Sequence, residues 1–203
     1  MTTHHDRSTT LGLGVRCRTL LGRFRRDDRG VHALEFGLLA LPFFGLLFAI
    51  VEVSWVSFNS EQLQAAVNQA ARQVMTGQVQ GNNVKTSADF ANKLLCPTDG
   101  TRLIPNSWNC SNLFVDVRTA ADFTKADMTN TFYTSPLQYC LGNPATIVVL
   151  RVVYPLASVF PLSIYNRYIG LANNVPNVSG WQHILMGSAV FKTEHYSGSS
   201  PTC

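Results

Sequence analysis

Beyond residue 30 this sequence has no surplus of charge of either sign. Nine basic and nine acidic residues balance there, and the formal net charge of +4 belongs to the first 30 residues. With the excess charge confined to that segment, its location argues against nucleic acid as a partner, and none is expected. The sequence also lacks a G-x-S-x-G elbow, a G-x-x-x-x-G-K-[ST] phosphate loop, a G-x-G-x-x-G turn and an H-E-x-x-H pair, and no catalytic residues are assigned. It has no internal repeat and no low-complexity tract. Its five cysteines form no C-x-x-C pair, and His183 and His195 do not complete a metal set, so neither metal nor cofactor is expected. His4 and His5 read as part of a flexible tail.

What is present is a strong polarity along the chain. Residues 1–30 carry Arg7, Arg16, Arg18, Arg23, Arg25, Arg26 and Arg29 against Asp6, Asp27 and Asp28, the pattern that holds an N-terminus on the cytoplasmic side of a membrane. An apolar run follows from Phe36 to Phe58, interrupted only by Glu52, Ser54 and Ser57. As a helix it extends about 35 Å, enough for a hydrocarbon core of about 30 Å. A cleaved secretory signal would be shorter and end in a small-residue box. Here Asn59-Ser60-Glu61-Gln62-Leu63 follows instead, and the segment reads as retained. Glu35 lies near the start of this helix, where a carboxylate costs up to about 2.5–3.5 kcal/mol at bilayer depth. It therefore needs a partner, a proton or a task.

The periodicity carries the helix onward. Leu63, Ala66, Val67, Ala70, Ala71, Val74 and Met75 recur at spacings of three and four, and Gly77 stands where a C-terminal cap belongs. One helix from Leu34 to Thr76 is expected, with Pro42 and Gly45 as its weak points. The chain then divides into a leader (1–30), a transmembrane helix (31–58), an amphipathic extension (59–77) and a distal domain (78–203).

That distal domain reads as α+β with an antiparallel sheet. After a polar loop, Gln78 to Lys85, a short helix starts near Thr86 or Ser87 and stops before Pro97. Strands are expected at Leu113 to Thr119, at Thr146 to Tyr154 halted by Pro155, and at His183 to Thr193, where Gly187 suggests a bulge or weak pairing. The connection from Pro155 to Asn177 is expected to pack back on the sheet. Asp89, Asp99, Asp116, Asp122, Asp127 and Glu194 are scattered singly and read as solvated surface. Cys96, Cys110, Cys140 and Cys203 lie beyond the membrane, where disulfides are permitted. Three pairings are open, and Cys96 with Cys110, closing a short loop around Trp108, is favoured, leaving Cys140 for Cys203. Aromatic residues around Trp181 are candidate partner contacts.

The segment Asp28-Arg29-Gly30-Val31-His32-Ala33-Leu34-Glu35-Phe36-Gly37-Leu38-Leu39-Ala40-Leu41-Pro42 resembles the TadE-like pseudopilins of the tight-adherence (Flp) type IV pilus system, although Val31-His32 stands where such chains commonly show Ala. The strand around Val148 to Tyr154, with Pro155 after it, is similar in a general way. The resemblance implies a non-catalytic minor pilin, with a pilin-like sheet, that takes part in pilus assembly and adhesion. It implies a prepilin peptidase cutting between Gly30 and Val31, and Glu35, next to Phe36, pairing with the α-amino group so released, on its own chain or a neighbouring subunit. The implied partners are that peptidase, other pilins or pseudopilins and the inner-membrane assembly platform. The implied location is the bacterial inner membrane, single-pass, with the N-terminus cytoplasmic and the distal domain periplasmic. The rival reading is a periplasmic enzyme or ligand-binding domain anchored by an uncut helix, which would require a concave site with converging polar groups.

Overall fold

The computed structural model describes residues 31–81, 84–128, 136–159, 171, 175–176 and 178–195. The leader, Gly30, Cys17 and Cys203 lie outside the described residues, as does most of the Pro155 to Asn177 connection. The described chain falls into two compact units that meet between Ile50 and Val51.

Helix α1, Val31–Met75, contributes to both. It begins three residues earlier than the expected Leu34 and ends one residue before Thr76. Gly77 closes it: at φ +77° it adopts a left-handed conformation that costs a residue without Cβ nothing. Its amide then donates to the Val74 carbonyl at 3.1 Å. In the second unit α1 buries one stripe, Glu52, Asn59, Leu63, Ala66, Val67, Ala70, Ala71 and Val74, at the spacing of a single helix face.

The polar stretch after α1 is partly helical, with α2 at Gln78–Gly81. Thr86 then caps α3, Ser87–Phe90, through a capping box with Asp89. Each side chain bonds the other's backbone amide, which satisfies two donors that helix geometry leaves open. A π-helical turn, Ala91–Leu95, carries α3 toward Cys96. Phe90 of α3 and Ala91, Leu94 and Leu95 of this turn all enter the core.

Three strands, β1 (Phe114–Ala120), β2 (Ile147–Ala157) and β3 (Gln182–Lys192), form an antiparallel sheet in the order β1-β2-β3. Val115, Val117, Val148, Leu150, Val152, Tyr154, Leu156, Leu185 and Phe191 share one core with the α1 stripe. The alternate residues of β2, Val149, Arg151 and Val153, are buried as well. Burial on both faces explains why β2 reads as a continuous apolar run rather than an alternation.

Two expectations about these strands are corrected. Pro155 does not halt β2, which continues to Ala157 in register with β3. The Thr193 amide donates to the Thr146 carbonyl, so even-numbered residues of β2 bond toward β3 and odd-numbered ones toward β1. β1 has already ended opposite Val153. The missing N–H of Pro155 therefore points to an edge where no ladder bond is lost.

Gly187 makes no bulge either, because the pairing runs without a slip from Ile147↔Lys192 to Ala157↔Gln182. It marks a point where α1 lies close against the sheet. A Cβ there would stand 2.8 Å from Val67 Cγ2, 3.2 Å from Leu63 Cγ and 3.3 Å from the Leu63 carbonyl oxygen. One residue on, the Gln64 amide receives the Ser188 N–H (3.1 Å) and donates to its carbonyl (2.9 Å). A side chain thus imitates a neighbouring strand and blunts the outer edge of β3. The Glu194 amide completes the contact by donating to the Met75 carbonyl at 3.0 Å.

Candidate assembly and anchoring site

Gly30, on one side of the expected cut, lies outside the described residues; Val31, on the other, is the first residue of α1. Glu35 follows one turn later with its side chain 65% exposed, and Phe36 is 71% exposed. His32 Nδ1 stands 3.4 Å from Glu35 Oε2, an i,i+3 pair on one helix face. This gives His32 an acidic neighbour. Leu34, Leu38, Leu39, Leu41, Phe43, Leu46 and Ile50 are exposed all around the helix. An apolar surface so continuous is far larger than water-facing proteins tolerate. The helix is long and apolar enough to cross a membrane.

A second carboxylate on α1 has the opposite surroundings. Glu52 is buried, and its oxygens accept hydrogen bonds from Ser158 Oγ at 2.9 Å and from the Val159 amide at 3.1 and 3.2 Å. His183 Nε2, at the start of β3, lies 2.8 Å from Oε1. The carboxylate thus sits between hydroxyl and imidazole, whereas an activated serine gives its proton to an imidazole that a carboxylate orients. The arrangement ties α1 to the ends of two strands. In the sequence Glu52 reads as a mere interruption of the apolar run. The signal that could have found it is its register: Glu52, Asn59, Leu63, Ala66 and Ala70 fall on one helical stripe, so the packed face starts well inside that run.

Asn59 is the next polar member of the stripe. Its Nδ2 donates to the Trp55 carbonyl at 2.7 Å, and its Oδ1 accepts from Trp108 Nε1 at 3.2 Å. Trp108 in turn stacks on Tyr154, with ring centroids 4.0 Å apart and planes within 7°. Cys96 and Cys110 are bonded to each other and close the loop that holds Trp108. Such a bond removes much of the loop's freedom in the unfolded chain, worth about 3 kcal/mol for a loop of this length. Cys140 lies beside Thr119, and its expected partner Cys203 is outside the described residues.

The reading of the acidic residues as singly solvated is corrected at Asp116. It is fully buried, directly opposite Arg151 across the β1–β2 pair. Arg151 donates to Asp116 Oδ2 from Nη2 (2.6 Å) and Nε (3.2 Å), and its Nη1 lies 3.1 Å from Asp127 Oδ2. The Gln138 amide takes the other Asp116 oxygen at 2.9 Å. Arg118 Nε is 2.9 Å from Asp116 Oδ2 but makes no hydrogen bond there. Folding thus gathers two carboxylates around one guanidinium, and the further hydrogen bond from the Gln138 N–H to Asp116 Oδ1 helps make the buried pair tolerable. Sequence spacing could not reveal it, because the partners are 35 residues apart.

Residues 30–72 match the family model described as TadE-like protein. The match covers the segment that carries the resemblance read from sequence, together with most of α1; this segment is TadE-like. No curated protein and no solved structure matches the chain.

Proposed function

We propose that this chain is a minor pilin or pseudopilin, structural rather than catalytic, that takes part in assembling a tight-adherence (Flp-type) pilus. The observation that carries this reading is the TadE-like match at residues 30–72, which opens at Gly30, one residue before α1 begins. In this reading a prepilin peptidase removes residues 1–30 on the cytoplasmic side of the inner membrane. The apolar half of α1 anchors the chain, and the distal α+β domain faces the periplasm. Other pilins or pseudopilins and the inner-membrane assembly platform are its partners.

The chemistry of Glu35 supports that sequence of events. An exposed carboxylate on an apolar helix is costly in hydrocarbon, and a new α-amino group, with an ordinary pKa of about 8, is largely cationic at neutral pH. Cleavage strips the basic leader and creates the missing cation in one step. His32 occupies the same helix face and lies beside whichever amine, its own chain's or a neighbour's, reaches the carboxylate.

The test is the intact mass and N-terminal sequence of membrane-extracted protein from cells with and without the peptidase. A chain beginning at Val31 only when the peptidase is present is expected. Full-length chain in both cells would sink the proposal.

A further inference from the structure

The apolar run alone allows the membrane span to reach Phe58, but residues beyond Val51 are tied to a folded domain. Glu52 accepts hydrogen bonds from Ser158 and Val159, a non-helical segment just past β2, and pairs with His183 at the start of β3. A boundary at Phe58 would carry this polar set, and the irregular backbone of Ser158 and Val159, about 10 Å into hydrocarbon. Irregular backbone does not occur facing lipid tails, because its amides and carbonyls find no partners there. Residues Val31–Val51, by contrast, rise about 31 Å as a helix, the thickness of one hydrocarbon core.

Just outside Glu52 the surface remains apolar. Val53, Trp55 and Phe58 are 66%, 43% and 59% exposed, and Val159, whose amide holds the Glu52 carboxylate, is 45% exposed. Exposed apolar side chains that follow the apolar run directly in sequence, interleaved with Ser54 and Ser57 and including a tryptophan, have the composition of a segment at headgroup level.

We propose that the chain leaves the hydrocarbon at Glu52, and that Val53, Trp55, Phe58 and Val159 rest in the headgroup layer of the bilayer. The base of the distal domain is then seated on the lipid surface. This rests on the membrane-anchored reading above.

The full chain reconstituted in phosphatidylcholine vesicles tests it. Trp55 emission is isolated as the difference between the wild type and Trp55→Phe, with bromine placed on the lipid chains either near the headgroup or near the chain end. The shallow bromine is expected to quench that difference signal at least about twofold more than the deep one. A second reporter, Phe58→Trp in the Trp55→Phe background, is expected to be quenched by the shallow bromine more weakly than Trp55. Stronger quenching of Trp55 by the deep bromine overturns the proposal and leaves the anchor intact, since the span then runs on toward Phe58. Vesicle-bound protein whose Trp55 is quenched by neither also overturns it, because the domain then stands clear of the lipid. Protein that does not float with the vesicles overturns both the proposal and the anchored reading.

Discussion

Helix α1 carries Glu35 just ahead of its long apolar run and Glu52 inside it, and the surroundings of these two carboxylates are opposite. Glu35 is exposed and has an imidazole one turn away, whereas Glu52 is buried and held by a hydroxyl, a backbone amide and an imidazole. The same residue type on one helix thus serves two purposes. Glu52 is satisfied by its own fold. In the proposed function Glu35, with only His32 beside it among the described residues, takes its partner from a released α-amino group in the assembly. The difference follows from what faces each residue. The helix around Glu52 belongs to a packed stripe, while the helix around Glu35 shows apolar side chains on every side.

Substitutions can break this comparison at graded cost. The largest effect is expected at Arg151, whose removal as Arg151→Met leaves buried Asp116 with only the partly exposed Arg118 guanidinium beside it. Denaturant unfolding of the full chain in detergent should show a loss of about 3–5 kcal/mol. Glu52→Ala leaves Ser158, the Val159 amide and His183 without their shared acceptor, and the same assay should read a loss of about 2–3 kcal/mol. Gly187→Ala drives a methyl against Val67 and Leu63. It should cost about 1–3 kcal/mol, less if α1 can shift. Glu35→Ala should stay within about 0.5 kcal/mol of the wild type, because its side chain is exposed. A Glu35→Ala loss as large as that of Glu52→Ala would erase the contrast between the two carboxylates.

The features legible in sequence were those written in local periodicity. The run of α1, the Gly77 cap, the Thr86 start of α3 and three strands all follow from neighbours within a few residues. What escaped depended on contacts between distant segments. Pro155 looked like a stop because its missing donor is visible in sequence, but the edge it faces is not. Gly187 looked like a bulge because the helix that crowds it is more than a hundred positions away. Asp116 looked solvated because its alternation with Val115 and Val117 is that of a half-buried strand, and only the register opposite Arg151 shows otherwise. At the candidate site, Glu35 was conspicuous as a charge near the start of an apolar run. Glu52 was hidden because the run continues past it while the packed stripe has already begun.

In the proposed function Glu35 has its partner in the assembly rather than in the folded chain. The most direct measurement is piliation, counted by electron microscopy, in cells whose only copy carries Glu35→Ala and whose chain has been shown by mass to begin at Val31. Normal processing with a sharp fall in piliation is the expected result. Normal piliation by that processed variant would contradict the account.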